Sequence, residues 1–355
     1  MRYYLRPTAF VDTPIGLDGQ CARMAGGLLW HAAYELIEVR DGGRTAKRLV
    51  PVTDAASLPD EVQPIIERLA APRAPLQLGA RTIRFDQPQV AAILNMTPDS
   101  FSDGGADFGD VEVAASSGVA LAGQGAAIID IGGESTRPGA EPVWEGDEIA
   151  RVVPVVERLA RAGVAVSIDT RKAAVMEAAL AAGAGIVNDV AALLYDDRAL
   201  EVVVGAGCPV ILMHAGDPRD LHSLALGNDP LIEIYDWLEA RVSAVEAAGV
   251  PRSHILIDPG IGFGKTLAGN LALLNGLALF QGLGCALMLG VSRKRMIGAL
   301  SNEAPADARL GGSVALALNG AMQGAQLLRV HDVPETVQAL RVWRGLRDQA
   351  LSAIG

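Results

Sequence analysis

Eight short apolar runs recur between about residue 90 and the carboxyl end: VAAIL, AAIIDI, VAVSI, GIVN, PVILM, ILI, ALML and QLLRV. Ala- and Leu-rich segments of helical period separate them, which is the βαβα order of a parallel sheet covered by helices. The span from Val90 to Gly355 is close to the ~250 residues of a (β/α)8 barrel, and right-handed crossovers would bring every strand end to one rim. The expected fold is therefore α/β, a (β/α)8 TIM barrel with a small N-terminal α+β extension.

Each run stops at a polar cluster: Asn95, GGESTRPG, Asp169-Thr170-Arg171, Asn188-Asp189, His214, Asp258-Pro259-Gly260, Ser292-Arg293-Lys294 and Arg329-Val330-His331-Asp332. Turn formers and helix caps account for any one of these clusters. They do not account for Lys, Arg and His recurring at strand ends, so the clusters are expected to form one pocket.

Residues 1–78 lack the alternation. YELIEV and TAKRLVPV flank Asp41-Gly42-Gly43-Arg44 and read as a hairpin, Asp60 to Ala71 reads as a short helix, and PLQLGARTIRF reads as a second hairpin turning near Gly79. The boundary is placed at residue 78, giving an extension over 1–78 and a barrel over 79–355. A packing or oligomerisation role is the plain expectation for the extension. Neither a low-complexity tract nor a repeat beyond the βα alternation is visible.

Composition narrows the function. The formal net charge of −11 argues against a nucleic-acid binder with a broad basic face, but not against a small anion held by a few local cations. No apolar stretch reaches the ~20 residues of a membrane span and the start has no signal-like apolar core, so a cytoplasmic enzyme is expected. Cys21, Cys208 and Cys285 are far apart in apolar surroundings and read as buried thiols. His214 and His331 show neither HxxxH nor HxH spacing, which leaves no transition-metal pattern.

Four segments carry chemistry. DPGIGFGKT fails as a phosphate-binding P-loop because Pro259 stands where its first glycine belongs, leaving a strand-end carboxylate and glycines that admit a ligand close to the backbone. GGESTRPGA puts Glu134, Ser135, Thr136 and Arg137 in a loop able to act as a lid, with hydroxyls beside a guanidinium suited to an anion. SRKR and RVHD place Arg293, Lys294, Arg295, Arg329 and His331 after the seventh and eighth strands, where barrel enzymes commonly bind phosphate. Asp169, Asn188 and Asp258 at a pocket floor suit a ligand presenting N–H donors.

ILNMTPDSFSDGG, IDIGGESTRPGA, SIDTRK, IVNDV, ILIDPGIGFGK, GVSRKRMIG and LRVHDV occur in the order and spacing of dihydropteroate synthases, which the chain resembles over about residues 79–345. That family is a sulfonamide target, folds as a (β/α)8 barrel, is generally homodimeric, and joins 6-hydroxymethyl-7,8-dihydropterin diphosphate to 4-aminobenzoate in folate synthesis. The resemblance implies that Asp169, Asn188, Asp258 and Lys294 read the pterin. It implies that Asn95 holds Mg²⁺ riding on the diphosphate, which Thr136, Arg329 and His331 also meet. Phe101, Thr136, Arg137, Ser292 and Arg295 would form the aminobenzoate pocket, and Asp169, Asp258 and Lys294 the catalytic set.

Three departures stand out: AGDP after His214, where the family more often has Met and one additional residue; Arg295 where some relatives carry Ser; and the long amino-terminal extension. Two alternatives remain at this point. A pterin-dependent methyltransferase shares the Asp and Asn reading of the pterin but needs no diphosphate grip, against which Arg329, His331 and Thr136 speak. A catalytically silent pterin-binding relative would be expected to have lost Asn95, Lys294 or Arg329, and all three are present.

Overall fold

The computed structural model describes residues 1–97 and 110–352. Eight parallel strands form a closed barrel: β7 (Gln89–Asn95), β8 (Ile128–Gly132), β9 (Val166–Asp169), β10 (Ile186–Asp189), β11 (Val210–Met213), β12 (Ile255–Asp258), β13 (Ala286–Gly290) and β14 (Leu327–Val330). All eight apolar runs are strands. Between them run α2 (Val111–Gly123), α3 (Glu145–Arg161), α4 (Ala173–Ala181), α5 (Ala199–Ala206), α6 (Pro230–Ala247) and α7 (Leu267–Asn275), then α8 (Arg295–Leu300) and α9 (Leu310–Met322), with α10 (Val333–Leu351) last. No helix among the described residues is long and apolar enough to cross a membrane.

The helices start where capping chemistry places them. Asp110 accepts from Glu112 N–H at the head of α2, and Thr266 Oγ1 accepts from Gly269 N–H at the head of α7. In α3 the acids Glu145, Asp147 and Glu148 crowd the first turn and Arg158 and Arg161 the last, complementing the helix dipole.

The strands are apolar on both faces, since one side meets helices and the other the barrel axis. Along the alternate positions that face the axis, side chains begin apolar and end polar. The series run Ala91, Ile93, Asn95 on β7; Ile128, Asp130 on β8; Ala165, Ser167, Asp169 into and along β9; Ile186, Asn188 on β10; Leu256, Asp258 on β12; and Leu327, Arg329 on β14. Period-two geometry thus turns a change of residue type along these six strands into a polar mouth above an apolar floor.

The floor is sealed from below. A hairpin of β5 (Leu76–Leu78) and β6 (Arg81–Ile83) places Leu76, Leu78, Ile83 and the following Phe85 in one cluster with Ala91, Ile128, Ile186, Ile211, Leu256 and Leu327. The expected boundary at residue 78 falls on the last residue of β5. Because both arms of the hairpin plug the barrel, packing puts the division before Leu76.

The rest of the extension is a sheet of β1 (Arg2–Val11), β2 (Ala22–Arg23), β3 (Trp30–Arg40) and β4 (Gly43–Pro51), antiparallel about β3, with α1 (Gln63–Ala70) against it. The first hairpin and the helix are where the sequence predicted them; β1 and β2 were not foreseen. Leu5, Tyr34, Leu36, Val50, Val62, Ile65 and Leu69 make its own small core. Tyr4, Ile37 and Val39 instead join the main barrel core. Tyr4 Oη donates to Asp236 of α6 at 2.8 Å, and Arg68 Nε donates to the Gly282 carbonyl at 2.7 Å. The extension thus packs on the outer wall of the barrel.

Candidate active site at the carboxyl end of the barrel

Strand register assembles the mouth. Asn95 lies beside Gly132, Gly132 beside Asp169, Asp169 beside Asn188, and Gly290 beside Arg329. Residues from β7 to β14 thereby share one rim, as the strand-end clusters implied.

At its centre Arg329 bridges two carboxylates. Its Nε donates to Asp130 Oδ2 at 2.5 Å and its Nη2 to Asp169 Oδ2 at 2.6 Å. Asn188 Nδ2 donates to the same Asp130 oxygen at 3.1 Å. Arg329, expected among the groups meeting a diphosphate, therefore stands between two acids and spends two of its five N–H donors on them. Asp130 was missed in the sequence. A carboxylate inside the apolar run AAIIDI is costly to bury unless paired, and that was the available signal. Asp130 Oδ1 and Asn188 Oδ1 are buried and meet no partner among the described residues, as expected of atoms facing a ligand.

Electrostatics follow from crowding. Burial, reinforced by Asp130, Glu148 and Asp189 and opposed by Arg329, pushes the Asp169 carboxyl well above the ordinary carboxylate range. Burial also raises Asp258, against the Gly260 N–H, which donates to its Oδ1 at 2.7 Å, and nearby Lys294. Lys294 is brought down to about 8 by burial, with Asp258 opposing. Its Nζ donates to the Ile261 carbonyl at 2.7 Å and sits 4.1 Å above the Phe263 ring.

The turn after β12 holds another lysine the sequence did not single out. Lys265 Nζ donates to the carbonyls of Gly260, His214 and Phe263 at 2.7, 3.1 and 3.2 Å, tying the loops after β11 and β12 together. Gly260 has φ +67°, and a Cβ there would stand 1.8 Å from the His214 carbonyl oxygen, so only glycine permits this approach.

On the far side of the mouth, His331 Nδ1 lies 3.0 Å from Ser292 Oγ. Arg293, counted in the sequence with the anion-binding cations, pairs with Asp332 through Nη2–Oδ1 at 2.5 Å. Its φ of 57° and the Arg309 bond to its carbonyl make it a strut of the turn that carries Ser292 and Lys294. Arg295 is exposed as the first residue of α8.

The GGESTRPGA loop is anchored at its base. Glu134 accepts from Arg171 Nε and Lys172 Nζ, both at 2.9 Å, and from Val143 N–H at 3.0 Å. Although burial alone would raise it, these donors hold the Glu134 carboxyl below its usual range. Lys172 Nζ also reaches Glu148, fully buried, at 2.5 Å. Thr136 is half-buried and Arg137 exposed. Phe101 lies outside the described residues.

The expected residues Asn95, Asp169, Asn188, Asp258, Ser292, Lys294, Arg329 and His331 thus meet at one mouth, to which Asp130 and Lys265 are added. Residues 91–331 match the pterin binding enzyme family. The chain is 43% identical over 263 residues to the dihydropteroate synthase of Escherichia coli K12, covering 74% of this chain and 92% of the relative. It superimposes on Xanthomonas albilineans dihydropteroate synthase solved with 4-aminobenzoic acid (TM-score 0.72, 45% identity, 78% of this chain and 99% of that one). It also matches the same enzyme in complex with 7,8-dihydropteroate (TM-score 0.69, 43% identity, 79% and 100%). With likeness of this extent in both sequence and fold, the chain belongs to the dihydropteroate synthase family.

Proposed function

We propose that this protein joins 6-hydroxymethyl-7,8-dihydropterin diphosphate to 4-aminobenzoate, forming 7,8-dihydropteroate and releasing diphosphate. The observation that carries the reading is the convergence of buried Asp130, Asn188 and Asp258 with half-buried Asp169, Lys294 and Arg329 over an apolar floor. Carboxylates and an amide side by side suit the N–H-rich edge of a pterin, and Lys294 suits its carbonyl.

Among the described residues no group of three or more His, Cys, Asp or Glu could hold a metal ion. Asn95 offers one neutral oxygen at the rim, which fits an ion brought in largely on a substrate's diphosphate. Bound there, Mg²⁺ would spread the negative charge of the departing group.

Asp169 and Asp258 face the side where positive charge grows on the pterin methylene as its bond to oxygen lengthens. Arg329 spends two donors within the chain and can turn others toward the diphosphate, with His331 beside it. The aniline nitrogen of 4-aminobenzoate then attacks the methylene carbon and loses a proton, so no protein nucleophile is required. Thr136, Arg137, Ser292 and Arg295 are assigned to the aminobenzoate side. A homodimer, a cytoplasmic setting and sulfonamide sensitivity belong to the same reading on grounds of family likeness. The test is incubation of the purified protein with both substrates and Mg²⁺, reading dihydropteroate by mass.

A further inference from the structure

His222 lies in the departing loop that begins AGDP, and the assignment of Thr136 to the aminobenzoate side leaves it without a role. Its Nε2 is 3.0 Å from the carbonyl oxygen of Thr136, at the tip of the GGESTRPGA loop. Its ring stacks on Phe263, with centroids 5.4 Å apart and planes 11° from parallel. Phe263 in turn lies under Lys294 Nζ. One imidazole therefore links the loop after β8 to the wall formed by the loop after β12.

The turn that carries His222 is closely packed and hydrogen-bonded. Gly264, at φ +64°, leaves room for the neighbouring strand of chain: a Cβ there would meet Leu224 Cβ at 2.6 Å and the His222 carbonyl oxygen at 2.9 Å. The turn is closed by Asp220 N–H to the Asp217 carbonyl and Gly216 N–H to the Leu221 carbonyl, at 2.9 and 3.0 Å. Phe263 is held through its own carbonyl by Lys265. Glu134 fixes the base of the GGESTRPGA loop, and His222 fixes its tip.

We infer that His222 is a positioning residue for 4-aminobenzoate: it holds Thr136 and its loop in the binding arrangement by donating Nε2–H to the Thr136 carbonyl while stacked on Phe263. The inference rests on the functional reading above. Because Asp169, Asn188 and Asp258, the acids and amide that read the pterin, stand on β9, β10 and β12, and Lys294 is held by the Ile261 carbonyl, His222 should act on one substrate and largely spare the other.

The test combines kinetics with hydrogen exchange on the full chain. His222→Ala should raise the KM for 4-aminobenzoate about tenfold, leave that for the pterin diphosphate within about twofold, and speed amide exchange over residues 135–140. His222→Gln, which can still donate, should recover much of the loss. His222→Phe, which keeps the stack but not the donor, should behave like His222→Ala. Unchanged exchange and aminobenzoate KM in His222→Ala, or an equal rise in both KM values, would overturn the inference. Should His222→Ala not fold, the Phe variant decides, a wild-type aminobenzoate KM counting against it. A wild-type protein that makes no dihydropteroate would instead sink the functional reading, while the exchange comparison would still judge the contact between His222 and the loop.

Discussion

Arg329 and Asp130 lie 199 residues apart in the chain and 2.5 Å apart at the barrel axis. Asp130 is almost wholly buried, and the same oxygen also takes the Asn188 amide. Removing one member of a buried pair leaves the other uncompensated, usually at a cost of about 3 kcal/mol or more. Asp130→Ala should lower unfolding stability by about that amount and cut kcat/KM for the pterin substrate by at least tenfold. Denaturant titration and steady-state kinetics check both; a variant as stable and as active as the parent would refute the bridge's role.

The depressed Lys294 predicts a pH effect with a definite sign. As pH rises through about 8 the folded protein loses this charge, so kcat/KM should fall on a basic limb near that value. Lys294→Arg should keep some activity and move the limb to markedly higher pH. For stability the sign is opposite: between about 8 and the ordinary ~10.4 the unfolded chain binds more protons, so this group's contribution to stability grows with pH across that window. A limb that stays in place in the Arg variant would assign it to another group.

Glu148 holds Lys172 and accepts from Thr170 Oγ1 at 2.7 Å with its carboxylate fully buried. Glu148→Ala should destabilise by about 3–5 kcal/mol, more than Glu148→Gln, which keeps an acceptor. Thermal melts of the two variants make the comparison, and equal melting temperatures would contradict it.

The extension should matter to stability and not to chemistry. Tyr4→Phe removes the bond to Asp236 and should cost about 1 kcal/mol with kcat unchanged. Phe280→Ala, in the fully buried segment Leu277–Leu283 against which β1 and α1 pack, should cost about 4 kcal/mol. Altered kcat in Tyr4→Phe would mean that the extension reaches the site.

What the sequence disclosed follows the range of the interaction. The strands were legible because doubly buried parallel strands are short apolar runs punctuated by Gly, Pro and Asp, and the alternation of facing then put Asn95, Asp169, Asn188, Asp258 and Arg329 at one end. Asp130 was hidden because it sits within an apolar run rather than after it. The Glu134, Lys172 and Glu148 network joins residues 14 to 38 positions apart that no local pattern links. His222 and Lys265 act through main-chain carbonyls, which carry no sequence signature. β1 was overlooked because RYYLRPTAFV mixes polar and apolar residues without clean alternation.

Diphosphate release and dihydropteroate formation, followed together in the purified protein and in Asp258→Ala, report directly on whether this mouth carries the condensation. One diphosphate per dihydropteroate is expected in the parent, and in the folded variant a loss of at least a hundredfold. Absence of dihydropteroate from the folded parent, or parent-like turnover without Asp258, would contradict that role.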